Sequence, residues 1–159
     1  LPGGAQRALL YTGTEPMSFS DLAELRQRRE SSPLQLLALS ACRTALGDTQ
    51  SELGFAGIAL QAGARSAIGS LWYVDDVATS AYFVQLYRYL DRGFPKAEAL
   101  QRVRTAMLNG QFRLDGQRLI GPDGTPVLDN LSTQQARIAA QGFTHPFFWA
   151  GIELLGTPW

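Results

Sequence analysis

Residues 34–44, LQLLALSACRT, contain an apolar run of eight residues (34–41) that is followed directly by the one cysteine of the chain, Cys42. The run has the length of a single β-strand and carries few polar positions. A strand that is apolar on both faces is typical of the centre of a mainly parallel sheet. The sequence therefore predicts a thiol at the carboxyl end of a central strand, where the sites of open α/β sheets lie.

The segments on either side of this run alternate between strand and helix. Three more buried strands are predicted at residues 7–12, 65–72 and 147–155. Helices are predicted at residues 18–29, 54–62, 77–89, 95–108 and 132–140. Strands that alternate with helices predict an α/β sandwich with a largely parallel sheet.

Three more specific expectations follow from this alternation. Residues 34–41 and 65–71 are expected to be neighbouring parallel strands, joined through the helix at 54–62 by a right-handed crossover. Residues 112–128 contain two Asp-Gly pairs between short apolar pieces, which predicts a β-hairpin insertion. The aromatic residues at 147–149 are expected to fill the core under the last strand.

Composition and charge limit the class of protein. The chain has 159 residues, of which 45% are hydrophobic and 18% charged, as in a globular domain with one core. Fourteen basic residues balance fourteen acidic ones, so charge gives no reason to expect nucleic acid or a membrane surface as a partner. No apolar run reaches the roughly 18 residues of a membrane span.

The single thiol and the single imidazole cannot form the usual structural sites. Cys42 has no second cysteine with which to form an intrachain disulfide. Cys42 and His145 are two ligands, fewer than a structural zinc site of the Cys/His kind needs. A lone thiol indicates a reducing compartment, for which we expect the cytoplasm, or a reactive site. The alternative is that Cys42 is a small buried hydrophobic residue.

A nucleophilic cysteine needs a base that makes the thiolate. The one histidine, His145, precedes Pro146 and an aromatic segment, which indicates a structural turn. We therefore expect the base to lie outside this chain. The chain begins with Leu1 and not with Met, and we expect part of the functional unit to lie upstream.

Four ordered blocks of the sequence resemble CHAT domains, the caspase-like peptidases that are found with tetratricopeptide repeats. Leu39 and the block SACRTALG at residues 40–47 match the family pattern L-S-A-C-x-T-x-x-G. The other blocks are GARS with SLWYVDD, KAEAL, and HPFFWA, at residues 63–66 with 70–76, 96–100, and 145–150. Tyr73 departs from the proline that the family often has, and residues 112–128 look like a variable insertion.

The resemblance implies a caspase-like three-layer sandwich, with a mainly parallel sheet flanked by helices, in which a His–Cys dyad hydrolyses peptide bonds. Cys42 is then the nucleophile, and its backbone N–H contributes to the oxyanion hole. In the family the histidine lies shortly before the segment that aligns with residues 1–10. Residues 1–159 are therefore expected to be a partial domain whose partners are its own upstream part, tetratricopeptide repeats and a protein or peptide substrate. Neither a cofactor nor a metal is implied.

The resemblance also bears on substrate specificity. Asp75 and Asp76 follow the predicted strand at 65–72, so they are expected at the same sheet edge as Cys42. Two adjacent carboxylates can pair with a guanidinium, and the similar separase motif L-W-D-V-T-D uses acid here to hold arginine. We therefore expect cleavage after Arg or Lys, with Trp72 forming a wall of the pocket that binds this basic side chain. The alternatives are that both acids cap the following helix and that Trp72 is a buried sheet aromatic.

Two other classes of function compete with a peptidase. One is a catalytically inactive CHAT domain that acts as an interaction or scaffold module, and the absence of a histidine upstream would favour it. The other is a flavodoxin-like binding domain that carries a cysteine by coincidence. The first predicted strand is not followed by a glycine-rich phosphate loop, which argues against this second class.

Overall fold

The computed structural model describes residues 10–12, 15–17, 24, 34–38 and 63–159. The strands in these ranges are β1 (Leu10–Thr12), β2 (Glu15–Met17), β3 (Leu37–Ala38), β4 (Ser66–Ser70), β5 (Arg113–Asp115), β6 (Arg118–Ile120), β7 (Pro126–Leu128) and β8 (Ile152–Gly156). The helices are α1 (Asp76–Asp91), α2 (Lys96–Leu108) and α3 (Thr133–Ala140), with a short 3-10 helix at Pro146–Phe148. Cys42 and the predicted helix at 54–62 lie outside the described residues.

The central sheet has the order β3-β4-β8. β3 runs parallel to β4, with Leu37 opposite Ala67 and Ala38 opposite Ile68. A further parallel bridge joins Leu34 to Ala64, so the register is constant over the described part of β3. The prediction of neighbouring parallel strands at 34–41 and 65–71 is therefore confirmed where the structure describes them. The crossover between them runs through residues outside the described ranges.

The expectation of a mainly parallel sheet needs correction, because β8 is antiparallel to β4. Ser70 pairs with Ile152 and Ser66 pairs with Gly156, at opposite ends of the two strands. The chain enters β8 from a turn at the edge where β4 ends, since Leu71 N–H donates to Gly151 O at 2.8 Å. A chain that returns from the same edge can only run antiparallel. The described part is thus a mixed α/β structure, and the three-layer sandwich stays a prediction.

Helices α1 and α2 cover the sheet and form most of the described core. In α1 the side chains of Ala78, Ala81 and Tyr82 are completely buried, at the spacing of one helical face. Val103 and Met107 of α2 are buried in the same cluster. The predicted bounds of both helices lie within two residues of the observed ones. The reason is that the apolar spacing and the residues that begin and end each helix indicate the same bounds.

The predicted insertion at 112–128 is an antiparallel meander of β5, β6 and β7. Gly116 takes a φ of 60° in the turn between β5 and β6, a conformation that glycine adopts without steric cost. The following helix α3 begins with a capping box, in which Ser132 Oγ accepts from Gln135 N–H and the Gln135 side chain accepts from Ser132 N–H. The hairpin prediction and the helix at 132–140 are confirmed.

The two ends of the chain contain the remaining differences from the sequence predictions. β1 confirms the end of the strand predicted at 7–12, and it pairs antiparallel with β2, which the sequence analysis did not predict. Glu24, within the helix predicted at 18–29, is helical. The strand predicted at 147–155 begins only at Ile152, because Pro146 starts a 3-10 helix. Across the described ranges, no helix is long and apolar enough to cross a membrane.

A cluster of charged side chains fastens the meander to α1. Arg92 contacts Asp123 at 2.8 Å and Arg88 contacts it at 3.7 Å. Partial burial raises the pKa of Asp123, but hydrogen bonds from Thr125 and the charges of Arg88 and Arg92 outweigh it, so the pKa lies below the ordinary 3.8. A carboxyl whose folded pKa is lowered stabilises the fold above its ordinary pKa, and this contribution is lost as the pH falls through the folded pKa.

We expect Asp123→Asn to lower the free energy of unfolding by about 1 kcal/mol at pH 7, since the arginine partners are partly exposed to solvent. The difference from wild type should shrink as the pH falls below 3.8. Urea unfolding between pH 7 and pH 2.5 measures it. Asp115→Asn is the matched control, because its pair with Arg118 is more exposed. A difference that does not change with pH would contradict the assigned role of the carboxylate.

Candidate functional site

The carboxyl end of β4 leads into a turn that is tied to the start of β8. Ser70 Oγ donates to Trp72 O at 2.6 Å, and Leu71 N–H donates to Gly151 O. These bonds hold Trp72 just beyond the sheet, four residues before α1 begins. Because β3 is parallel to β4, the carboxyl ends of both strands point to this edge.

Trp72 is half-buried and is held by contacts with Phe147 and Gly151. Its ring stacks on Phe147, with centroids 6.4 Å apart and an interplanar angle of 20°. Its Nε1–H donates to Phe147 O at 2.9 Å. The indole also lies close to Gly151, where a Cβ would come within 2.6 Å of the ring. Trp72 is therefore neither in the sheet nor loose at the surface, and its predicted role in a substrate pocket stays a prediction.

The two neighbouring carboxylates occupy different positions at the start of α1. Asp75 is the N-cap, and its Oδ1 accepts from Val77 N–H at 2.9 Å and from Ala78 N–H at 3.2 Å. Asp76 is exposed in the first turn, where a negative charge suits the helix dipole. The helix-cap alternative thus describes Asp75 well. That either acid binds substrate stays a prediction.

His145 has the structural role that its sequence context indicated. Its Nδ1 accepts from Phe147 N–H at 3.2 Å, which caps the 3-10 helix that Pro146 begins. A neutral imidazole that accepts at Nδ1 carries its proton on Nε2. Because Cys42 lies outside the described residues, the absence of a base for it within this chain stays a prediction.

Phe147 is the residue that the sequence analysis misjudged. It was expected to fill the core, but 47% of it is exposed, whereas Phe148 and Trp149 are half-buried. The reason is the 3-10 turn, which takes these residues out of the alternation of a strand. His145-Pro146 was the available signal, since proline favours the first turn of a helix over a paired strand.

The opposite end of β4 contains a second polar network, which is structural. Lys96 is buried, and its Nζ donates to Ser66 Oγ at 2.9 Å. Ser66 Oγ in turn donates to Thr157 O at 2.5 Å. Burial lowers the pKa of Lys96, and the charge of Arg65 lowers it further. Lys96 has a structural role, because it links α2 to β4 through Ser66 and to the residue after β8 through Thr157 O.

Neither network has the composition of a metal centre. Within residues 63–159 and the shorter described segments, no group of three or more His, Cys, Asp or Glu side chains could hold a metal ion. The described residues at the carboxyl edge of β4 include two carboxylates, Asp75 and Asp76, and the stacked pair of Trp72 and Phe147.

A comparison with protein families identifies the class of this chain. The family model of the CHAT domain matches residues 3–157, nearly the whole chain. The chain belongs to the CHAT domain family, which is related to the caspase-like peptidases. No curated protein and no solved structure matches it.

We expect Gly151→Ala to lower the free energy of unfolding by about 1–3 kcal/mol, because the added methyl group would collide with the Trp72 ring. Thermal and urea unfolding of the purified chain measure the change. The control is the same substitution in the Trp72→Ala variant, where Gly151→Ala should lower the free energy of unfolding much less. Equal costs in both backgrounds would mean that the indole does not rest on this glycine.

Proposed function

We propose that the chain is part of a cysteine endopeptidase in which Cys42 is the nucleophile and a histidine from outside this chain is the base. The observation that carries the proposal is the parallel pairing of β3 with β4. Cys42 follows Ala38 by four residues, and four residues of chain span at most about 14 Å. Asp75 and Asp76 follow the neighbouring strand at the same edge. This pairing supports the placement of the Cys42 nucleophile and the carboxylates at one edge of the sheet.

The proposed reaction is acyl transfer through a thioester. The histidine takes the proton of the Cys42 thiol, and the sulfur attacks the carbonyl carbon of the scissile peptide bond. The backbone N–H of Cys42 donates to the oxyanion, and the histidine gives its proton to the leaving amine as the C–N bond breaks. Water then hydrolyses the thioester, which restores the thiol and releases the new carboxylate.

The carboxylates at the start of α1 support a preference for Arg or Lys before the scissile bond. Asp75 uses Oδ1 for the helix cap, whereas Asp76 is exposed and is not among the acceptors of the cap bonds. Asp76 is therefore the better candidate for pairing with a guanidinium or an ammonium group. Trp72 would form a wall of the same pocket.

The proposal includes the surroundings of the enzyme. We place it in the cytoplasm, where a lone thiol stays reduced, and we take residues 1–159 as a partial domain completed by its own upstream part. Tetratricopeptide repeats are the proposed neighbours, and a protein or peptide is the substrate. An inactive domain that serves as an interaction module is the outcome that the next experiment distinguishes.

We expect Cys42→Ala to abolish peptide cleavage by the full-length parent chain, with a loss of activity to the background rate. Fluorogenic peptides with arginine before the reporter group measure it. Circular dichroism is the control, since one small side chain is exchanged for another and the fold should persist. Cleavage that survives the substitution would remove Cys42 from the mechanism, and an inert wild-type chain would favour the interaction module.

We expect Asp76→Asn to lower kcat/KM for Arg and Lys peptides by hundreds-fold or more, which corresponds to the roughly 3–5 kcal/mol of a broken desolvated pair. Peptides with a neutral residue at that position should be cleaved as before. Asn is the chosen replacement because it removes the charge and nearly preserves the size and shape of the side chain.

Asp75→Asn is the matched control for that prediction. It keeps the cap and removes a charge from the neighbouring residue, so it should change specificity less than Asp76→Asn. Two outcomes would contradict the basic pocket. One is equal cleavage after Arg and Leu by the wild type, and the other is an unchanged Arg preference in both variants.

A further inference from the structure

We propose that Phe147, supported by Trp72, forms an apolar subsite that selects an apolar or aromatic side chain within three residues of the cleaved basic residue. This inference rests on the proposed peptidase function and adds a second requirement to its substrate. The recognised peptide would combine one cationic side chain and one apolar side chain in an extended segment.

The first argument is that Phe147 is exposed although its ring is held in one place. Trp72 stacks against it, and Phe148 contacts it edge-on, with centroids 5.9 Å apart and an interplanar angle of 77°. Its backbone is fixed as well, since Trp72 Nε1–H donates to its carbonyl and its N–H donates to His145 Nδ1. A ring that is already fixed loses little entropy when a ligand covers it, so its exposed face is suited to binding.

The second argument is the position of this ring beside the acidic residues. Trp72 precedes Asp75 by three residues, which span at most about 11 Å of chain. Phe147 is in stacking contact with Trp72, so the exposed phenyl ring and the carboxylates lie on one edge of the sheet. An extended peptide advances about 3.3 Å per residue, so three residues cover about 10 Å, close to this upper limit.

The third argument is the chemistry of the occupant. The exposed ring favours an apolar partner, because removing apolar surface from water is favourable. The adjacent carboxylates favour a cation, and a hydrophobic contact beside an ion pair also excludes water from that pair. The two neighbouring surfaces thus fit one segment of peptide in which a basic and an apolar residue lie close together.

Tyr87 provides a matched control on the same molecule. It is 51% exposed, close to the value for Phe147, but it lies 11 residues along α1 from Asp76. At a rise of 1.5 Å per residue, this places it about 16 Å along the helix from the carboxylates. A general effect of removing an exposed aromatic would appear in Tyr87→Ala as well, whereas a subsite effect would appear only at Phe147.

The experiment compares peptides that have arginine at the cleaved position and either alanine, leucine or phenylalanine at each of the three preceding positions and at the following one. The full-length parent chain should cleave the peptides with leucine or phenylalanine at one of these positions about tenfold faster than the alanine peptide. Phe147→Ala should remove this preference and leave the preference for arginine unchanged. Phe147→Leu should restore part of it, and Tyr87→Ala should behave as wild type.

A second measurement separates this inference from the proposed function. Fluorescence anisotropy of the labelled peptides is measured with the Cys42→Ala chain, which binds without cleaving, and with the same chain that also carries Phe147→Ala. Weaker binding of only the apolar peptides to the double variant supports the subsite even if the wild type cleaves nothing. Equal cleavage and equal binding of the alanine and phenylalanine peptides would overturn the subsite, although Cys42-dependent cleavage after arginine could still stand.

Discussion

The hydrogen bonding of β4 on both of its edges is the constraint on which the described structure depends. Four of its five residues are buried, and it pairs with β3 on one side and with β8 on the other. The parallel partner, β3, runs toward the edge where α1 begins, as β4 does. The antiparallel partner brings the segment at 146–151 to that edge from another part of the chain. Residues far apart in sequence thus meet because one strand has two different neighbours.

Local signals allowed much of this arrangement to be predicted from the sequence. The apolar run at 34–41 and the strand at 65–72 fit a sheet centre, and the bounds of α1 and α2 followed from apolar spacing, Pro95 and Asn109-Gly110. The direction of β8 could not be predicted in this way. It depends on the edge from which the chain returns, and this is set by the path of the meander and α3, not by the residues of the strand.

The acids and aromatics of the candidate site also show how far local sequence signals can predict the structure. Asp75 and Asp76 carry identical side chains, and the sequence left open which of them serves the helix. Backbone geometry decides it, since only the residue just before the first turn can accept from the second and third N–H groups of α1. Phe147 was assigned to the core because an aromatic run resembles a buried strand. One proline, which begins a 3-10 turn, is enough to bring its ring to the surface.

The cap also limits what Asp75 can do in binding. An N-cap carboxylate contributes about 0.5–2 kcal/mol to the fold, and a cation that drew it away would forfeit part of this. Asp76 lies in the first turn, and its oxygens are not among the acceptors of the cap bonds. Two adjacent acids can therefore have different roles, in which one caps the helix and the other is available to bind a ligand.

The two ends of β4 differ in a way that bears on where a site can form. At its amino end, a hydrogen-bond network joins Lys96 Nζ to Ser66 Oγ and Ser66 Oγ to Thr157 O. Burial lowers the pKa of Lys96 in this network. At its carboxyl end, hydrogen bonds fix the backbone as firmly but leave Phe147 and Asp76 exposed. Hydrogen bonds hold both ends, and the carboxyl end presents an apolar ring together with a carboxylate to solvent. Rigid support together with exposed chemistry is what a binding site requires, and this asymmetry favours the carboxyl edge of the sheet.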